Sequence, residues 1–402
     1  MGTTNDRFRL GSPPGRTVDG RGPGGYLRGV NSLTGYLDEL HESTYLSHYS
    51  ALDTYFRIRH SDPLFAVTEA SLIDLAKVFP GVDYPGTEWA DARLATGEGT
   101  IYFLCVDSVK SPPTHSLSVL NLFYDVRGGK FLDPRSIYPA LREQSLAILP
   151  EAGDSAQEQE GGWQLVADAA VLLSRYDYTV AEPAVAVSPR SGEMSSAGQK
   201  LLLELILTGK RPDKGLRLLR ESGFVERHWP ELLRLDGTVH SKSHHPEGNV
   251  WQHTLETFSH RKTQDLVLSL GLLFHDCGKP LAHRSEGRMF DGHAEIGASI
   301  ARDFLRRLGF GGSTIEEVFF LVRQHMLPPF ISKLATRRTE AIMASPLFPL
   351  LLELYRCDEL ATYRGPDGYY EACKTYRAYL RNSKNPYRGA DGKKMVRLYV
   401  ER

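Results

Sequence analysis

Cysteine is scarce in this chain. Cys105, Cys277, Cys357 and Cys373 are scattered through 402 residues with no Cys-x-x-Cys pair. That excludes a cysteine zinc site by spacing and fits a reducing compartment, with each thiol a small core or surface residue. Long apolar runs are also missing. Nothing approaches the roughly 18 residues that a membrane helix needs, and the first residues lack a charged-then-apolar signal pattern, so the expectation is a cytoplasmic protein. Neither sign of charge is in excess. The 48 Lys and Arg against 49 Asp and Glu leave a formal net charge of -1, which argues against a chain given over as a whole to nucleic acid or anionic membrane. Local basic patches remain compatible with that balance.

What is present is enough for two or three folded domains, since 41% of the residues are hydrophobic. The first stretch, GSPPGRTVDGRGPGGYLRG, is too dense in Gly and Pro for regular structure, so residues 1–29 are expected as a flexible arm. From 30 to 185 strand-like runs such as TIYFLCVDSV (100–109) and SLSVLNLFYDV (116–126) alternate with helix-like TEASLIDLAKVF (68–79), predicting an α/β head. A polar insert at 150–162 is expected as a mobile surface loop. Past Pro189 helical periodicity takes over. The predicted order is a helical neck at 196–237, a helical bundle at 238–372 and a basic tail at 373–402. The fold class is therefore α+β, an α/β head followed by an all-α neck and bundle. Ser313 and Glu316 have capping-box spacing and predict the start of one bundle helix.

Successive bundle helices each carry a potential ligand in or beside the apolar stripe. His253 stands in VWQHTLE, His275 and Asp276 in LLFHDCG, His293 in DGHAEIGA, His325 in LVRQHML and Asp358 in LYRCDELA. A lone His on such a face is more often a hydrogen-bonded core residue. The joint pattern points elsewhere, because inward polar groups must be paired or coordinated, and one or two divalent cations would satisfy them all. Imidazole and carboxylate suit manganese, iron, nickel or zinc, and magnesium is compatible. Asp276, with two oxygens, is the natural bridge between two ions.

The order His, His-Asp, Asp, borne by His253, His275, Asp276 and Asp358, resembles the HD superfamily of metal-dependent phosphohydrolases. The words HHPEGNVWQHTLE, LLFHDCGKP, GRMFDGHAEIGA and VRQHM are similar to the HD region of bacterial tRNA nucleotidyltransferases and poly(A) polymerases, and GLRLLRESGFVERHWPELLRLDG (215–237) resembles the neck before it. The resemblance covers about 201–362. It implies a nucleotidyltransferase head upstream, and SLSVLNLFYDVRGGKFLDP (116–134) is similar to that head's strand pair ending in an Asp-Pro turn. The chemistry is not matched. Two-metal nucleotidyl transfer needs paired carboxylates on a strand, yet the sequence has no Asp-x-Asp, and its acidic pair at that spacing is Glu158 and Glu160 in the polar insert. The head reads as degenerate.

The resemblance implies a phosphodiesterase or phosphatase acting on nucleotides or RNA ends, such as 2',3'-cyclic or terminal phosphates. In it the tetrad holds one metal, His293 and His325 add a second, Asp276 serves the reaction, and Lys279 meets the phosphate. The alternative is an RNA- or tRNA-binding or regulatory protein with a vestigial metal site, or a residual tRNA nucleotidyltransferase. Basic clusters favour the RNA side: Lys210, Arg211, Lys214, Arg217 and Arg220 in the neck, and a tail from Lys374 with nine cations, two acids and four tyrosines.

Overall fold

The computed structural model describes residues 33–58, 62–146, 163–176, 178–180, 192–239, 248–285, 288–363 and 365–382. The expected arm at 1–29, the polar insert with Glu158 and Glu160, and the tail beyond 382 lie outside these residues.

The head is built on a seven-stranded mixed sheet in the order β3-β4-β5-β2-β1-β6-β7, beside which Ser145–Leu146 and Thr179–Val180 form a small parallel pair. Its strands are β1 (Thr44–Leu46), β2 (Leu64–Thr68), β3 (Val82–Asp83), β4 (Ala92–Ala95), β5 (Thr100–Cys105), β6 (Phe123–Asp125) and β7 (Lys130–Leu132). Strands β2 and β5 run parallel, and the other neighbours are antiparallel. Alternation along the central strands fills both faces, which is why these runs read as continuously apolar. Leu64, Ala66, Ile101 and Phe103 pack with Leu37 of helix α1 (Leu33–Asp38) and Leu75 of α3 (Leu72–Val78). Phe65 and Tyr102 face the other way, toward Tyr49 of α2 (His48–Phe56). A capping box between Ser71 and Asp74 starts α3. The strand expected over 116–126 is shorter: a 3-10 turn at Ser118–Asn121 comes first, with Asn121 bonded into its own loop, and only Phe123–Asp125 pairs.

After α4 (Tyr138–Glu143) the chain enters α5 (Gln164–Arg175), an apolar helix buried along most of its length. At its centre stands Asp168, fully buried. It accepts from Tyr49 Oη (2.5 Å), Trp89 Nε1 (2.6 Å) and His115 Nε2 (3.0 Å), so one carboxylate ties α5 to α2 and two loops. His48 lies edge-on to His115, its ring centroid 5.7 Å away. Near its end, Arg175 and Tyr176 both bond Asp53 of α2.

The neck follows as α6 (Ser196–Leu207), α7 (Pro212–Glu221), α8 (Phe224–His228) and α9 (Pro230–Leu233). Helix α7 crosses α5 at Gly215, where a Cβ would overlap Ser174 Oγ and Ala170 O. Glycine is required there for the backbones to meet. The bundle comprises α10 (Val250–Thr257), α11 (Leu266–Phe274), α12 (His293–Arg307), α13 (Gly312–Gln324), α14 (Thr336–Met343), α15 (Phe348–Leu360) and α16 (Asp367–Asn382). One apolar cluster runs from the head through the neck into the bundle.

Two local expectations fail for physical reasons. Helix α13 begins at Gly312 with no side-chain cap, which leaves Ser313 inside the first turn, bonded to Glu317 rather than paired with Glu316. The first part of the basic tail belongs to α16, whose Tyr376 is buried against Phe348 (centroids 4.6 Å) and whose Tyr379 is also buried, so neither is free to stack on a base.

Burial and the neighbouring His115 depress the pKa of His48 to about 4, although Asp168 opposes this. An unfolded His titrates near 6.5, so the unfolded chain takes up a proton that the folded head refuses. Stability from this residue is complete above pH 6.5 and is lost as the pH falls toward 4. Thermal or urea unfolding at pH 5 should therefore show about 2 kcal/mol less stability than at pH 7. Replacement His48→Asn should flatten the loss over that interval.

Candidate metal centre

The site is assembled from helix ends. Asn249 caps α10 by accepting from Gln252 N (2.8 Å), which fixes the helix that carries His253. Asp265 caps α11 in the same way through Leu268 N (2.8 Å). That helix is apolar nearly throughout and ends at Phe274, delivering His275 and Asp276 in the turn that follows. His293 opens α12 behind Gly292, His325 follows the last residue of α13, and Asp358 lies on α15.

Gly278 lets these ends meet. A Cβ on it would overlap the His293 carbonyl and come within 2.6 Å of the Gly297 amide, so the turn after Asp276 lies directly against the first turns of α12. His275 and Asp276 can stand together at the end of an apolar helix because the turn that carries them is buried among other ligand-bearing ends.

Three of the imidazoles are oriented in the same way. His275 Nδ1 is 2.8 Å from Leu272 O, His293 Nδ1 2.8 Å from Phe290 O, and His325 Nδ1 2.7 Å from Val322 O. A carbonyl can only accept, so each Nδ1 carries a proton, and each ring in that tautomer turns its Nε2 lone pair the other way. Those lone pairs converge. The Nε2 atoms of His293 and His325 are 3.1 Å apart, and Asp276 Oδ1 is 3.6 and 3.8 Å from them. Asp276 Oδ2 is 3.2 Å from His275 Nε2, which is itself 3.8 Å from Asp358 Oδ1. His253 Nε2 is 2.9 Å from the same Asp358 oxygen.

Burial lowers the pKa of His293 and takes that of His325 down to about 3. Burial alone would raise Asp276, but the positive charge around it, that of Lys279 included, holds the carboxyl below its ordinary range. Buried acceptors facing acceptors repel unless a cation lies between them. His275 Nε2 is buried with no hydrogen-bond partner, as an atom reserved for a cation would be. The donor set fits a divalent ion of the first transition row. Two groups have ligand atoms within 4.8 Å of one another: His253, His275 and Asp358, and Asp276, His293 and His325.

All six sequence-predicted ligand candidates thus meet, with one change of grouping. Asp276 joins His293 and His325 through Oδ1 while its Oδ2 faces His275, the disposition that a bridging carboxylate requires. Lys279 is held by an ion pair within the centre. Its Nζ lies 2.5 Å from Asp276 Oδ2 and its side chain is mostly enclosed, while the residue also lines the cavity over Asp276 and Asp358. Sequence reasoning missed Tyr355 and Glu359, which bond each other (2.7 Å) and line a cavity of about 180 Å³ over Asp276 and Asp358. Their spacing of four beside Asp358 was the available signal.

Residues 249–362 match the HD domain family. The chain is 37% identical over 190 residues to the CC-adding tRNA nucleotidyltransferase of Thermus thermophilus, covering 45% of this chain and 43% of that one. It is 29% identical over 193 residues to the A-adding tRNA nucleotidyltransferase of Deinococcus radiodurans, covering 45% and 44%. The chain thus spans less than half the length of these curated relatives. Its fold is similar to that of the Bacillus stearothermophilus CCA-adding enzyme in complex with CTP, with a TM-score of 0.54 at 14% identity over 88% of this chain and 83% of that one. That likeness extends through the mixed-sheet head, so head, neck and HD bundle form the architecture that the resemblance implied.

The phosphohydrolase expectation is overturned. These relatives are named for adding nucleotides to tRNA. Among the described residues no helix is long and apolar enough to cross a membrane.

Replacing Gly278 by Ala should push the turn off the His293 carbonyl, costing about 1–3 kcal/mol by overpacking. The expected result is a lower Tm, whereas Gly309→Ala, at a left-handed position with open space around it, should lose stability without altering the packing of α12 on the turn, read from near-ultraviolet circular dichroism.

Proposed function

We propose that this chain is a tRNA-binding protein built on the architecture of the tRNA nucleotidyltransferases, with a head that transfers no nucleotide itself and an HD bundle that holds divalent metal. The observation that carries the reading is the contrast between two halves of one fold. Among the described residues the groups of three or more His, Cys, Asp and Glu whose ligand atoms converge are the two in the bundle, and the head sequence has no Asp-x-Asp pair to add to them. Two-metal nucleotidyl transfer depends on carboxylates that clamp cations against the triphosphate. The head's most enclosed carboxylate, Asp168, is already spent on a tyrosine, an indole and an imidazole.

The tRNA part of the reading is supported by the names of the relatives and by the surface. Lys374, Arg377 and Arg381 lie on α16, with Tyr370 on the same helix and Tyr363 just before it exposed. Cations neutralise phosphates and exposed rings stack on unpaired bases. In the bundle, His253, His275 and Asp358 would hold one ion, and Asp276, His293 and His325 a second. Bound there, the ions supply positive charge and Lewis acidity beside the cavity under Tyr355.

A second reading, nucleotide addition to tRNA, is favoured by the likeness of the head fold. One experiment separates the two: incubation with tRNA shortened at its 3' end and labelled CTP or ATP, in magnesium or manganese. The expected result is binding that weakens steeply with salt and no incorporated label. Incorporation would establish the second reading, and the absence of salt-sensitive binding would remove the first. For the metal centre, elemental analysis should find up to two divalent ions per chain. His325→Ala should lower that number and His253→Ala should lower it independently, and chelation should reduce the Tm of the wild type but not of the double variant.

A further inference from the structure

A second polar cavity lies at the other end of α11 from the metal centre. It measures about 300 Å³ and opens between the turn joining α6 to α7 and the segment that joins α10 to α11. Four cations line it: Lys210 and Arg211 from the first turn, Arg261 and Lys262 from the second, with Phe258 and Thr263 beside them. No acidic side chain is among its lining residues.

Arg261 is fixed in place. Its Nη1 donates to Leu207 O (2.6 Å) and Ser269 Oγ (2.5 Å), its Nη2 to Gly209 O (2.6 Å), and its guanidinium lies over the Phe258 ring at 5.5 Å. The carbonyls belong to the C-terminus of α6, where a cation is favoured. They are neutral acceptors, however, and no carboxylate pairs with Arg261 among the described residues. The acids that act on it are committed elsewhere: Asp213 forms an ion pair with Arg211 (2.7 Å), and Asp265 caps α11. Burial therefore lowers the Arg261 pKa to about 10. Two enclosed polar atoms, Arg261 Nε and Thr263 Oγ1, have no hydrogen-bond partner. A pre-oriented guanidinium, a threonine and two exposed lysines line one concavity.

We propose that this cavity binds a phosphate group, supplied by the backbone of a bound RNA. Arg261 and Thr263 would hydrogen-bond its oxygens while Lys210 and Lys262 add point charges at its rim. Helix α11 is nine residues long, so the phosphate would lie about 14 Å from the metal centre at 1.5 Å per residue. The site stands on its own geometry. Its assignment to RNA rests on the tRNA-binding reading above.

The test uses the full chain and the double variant Lys210→Gln/Lys262→Gln, whose two positions are exposed and should leave the Tm unchanged; Lys77→Gln, on the head, is the charge control. Binding of tRNA is measured by fluorescence anisotropy across sodium chloride concentrations. Binding of inorganic phosphate is measured by calorimetry at matched ionic strength. The double variant should bind tRNA roughly ten-fold more weakly at low salt, with a salt slope reduced by about 1–2 and phosphate binding lost, while the control matches wild type. If phosphate binding depends on the lysines but tRNA binding by the variant is unchanged, the occupant is free phosphate and the RNA assignment is overturned. An unchanged variant in both measurements overturns the site itself and leaves the tRNA reading intact. Wild type that binds phosphate but no tRNA removes that reading and leaves the site.

Discussion

The bundle is organised around a problem of like meeting like. Lone pairs on His275, His293 and His325 are aimed at the oxygens of Asp276 and at one another, each ring held in that orientation by donating its opposite N–H to a carbonyl three residues earlier. The arrangement is unfavourable as a set of neutral acceptors and favourable around positive charge. Lys279 supplies one such charge from within the chain. The helix caps, the apolar interior of α11 and the glycine at 278 then follow as the means of bringing several chain ends to one place.

Much of that centre was legible because the code was local. Each ligand candidate sits within or just beyond a run whose periodicity declares a helix, and inward polar residues on consecutive helices are improbable without a common partner. The pairing inside the centre was not legible. Which oxygen of Asp276 faces His293 and which faces His275 depends on the packing of α12 against the turn, a contact of backbone atoms that no side-chain pattern records. The ion pair of Lys279 was hidden for a related reason, since its reach back to Asp276 depends on the turn at 275–278.

The head was harder to read. Its strands declared themselves by apolar content, but the hub at Asp168 joins residues 53 to 119 positions apart, and none of its members has a neighbour in sequence that marks it. The capping box at Ser313 failed because two glycines allowed the helix to begin earlier. The tyrosines of α16 were misjudged because a basic, aromatic segment can place its rings inward and its charges outward, and composition is blind to that division.

The crossing of α5 and α7 at Gly215 has a mechanical consequence. Two helices in backbone contact, with Ser174 wedged at the crossing and Arg175 anchored to Asp53, behave as a welded joint. Head and neck are thereby fastened backbone to backbone, and a shift of one carries the other with it.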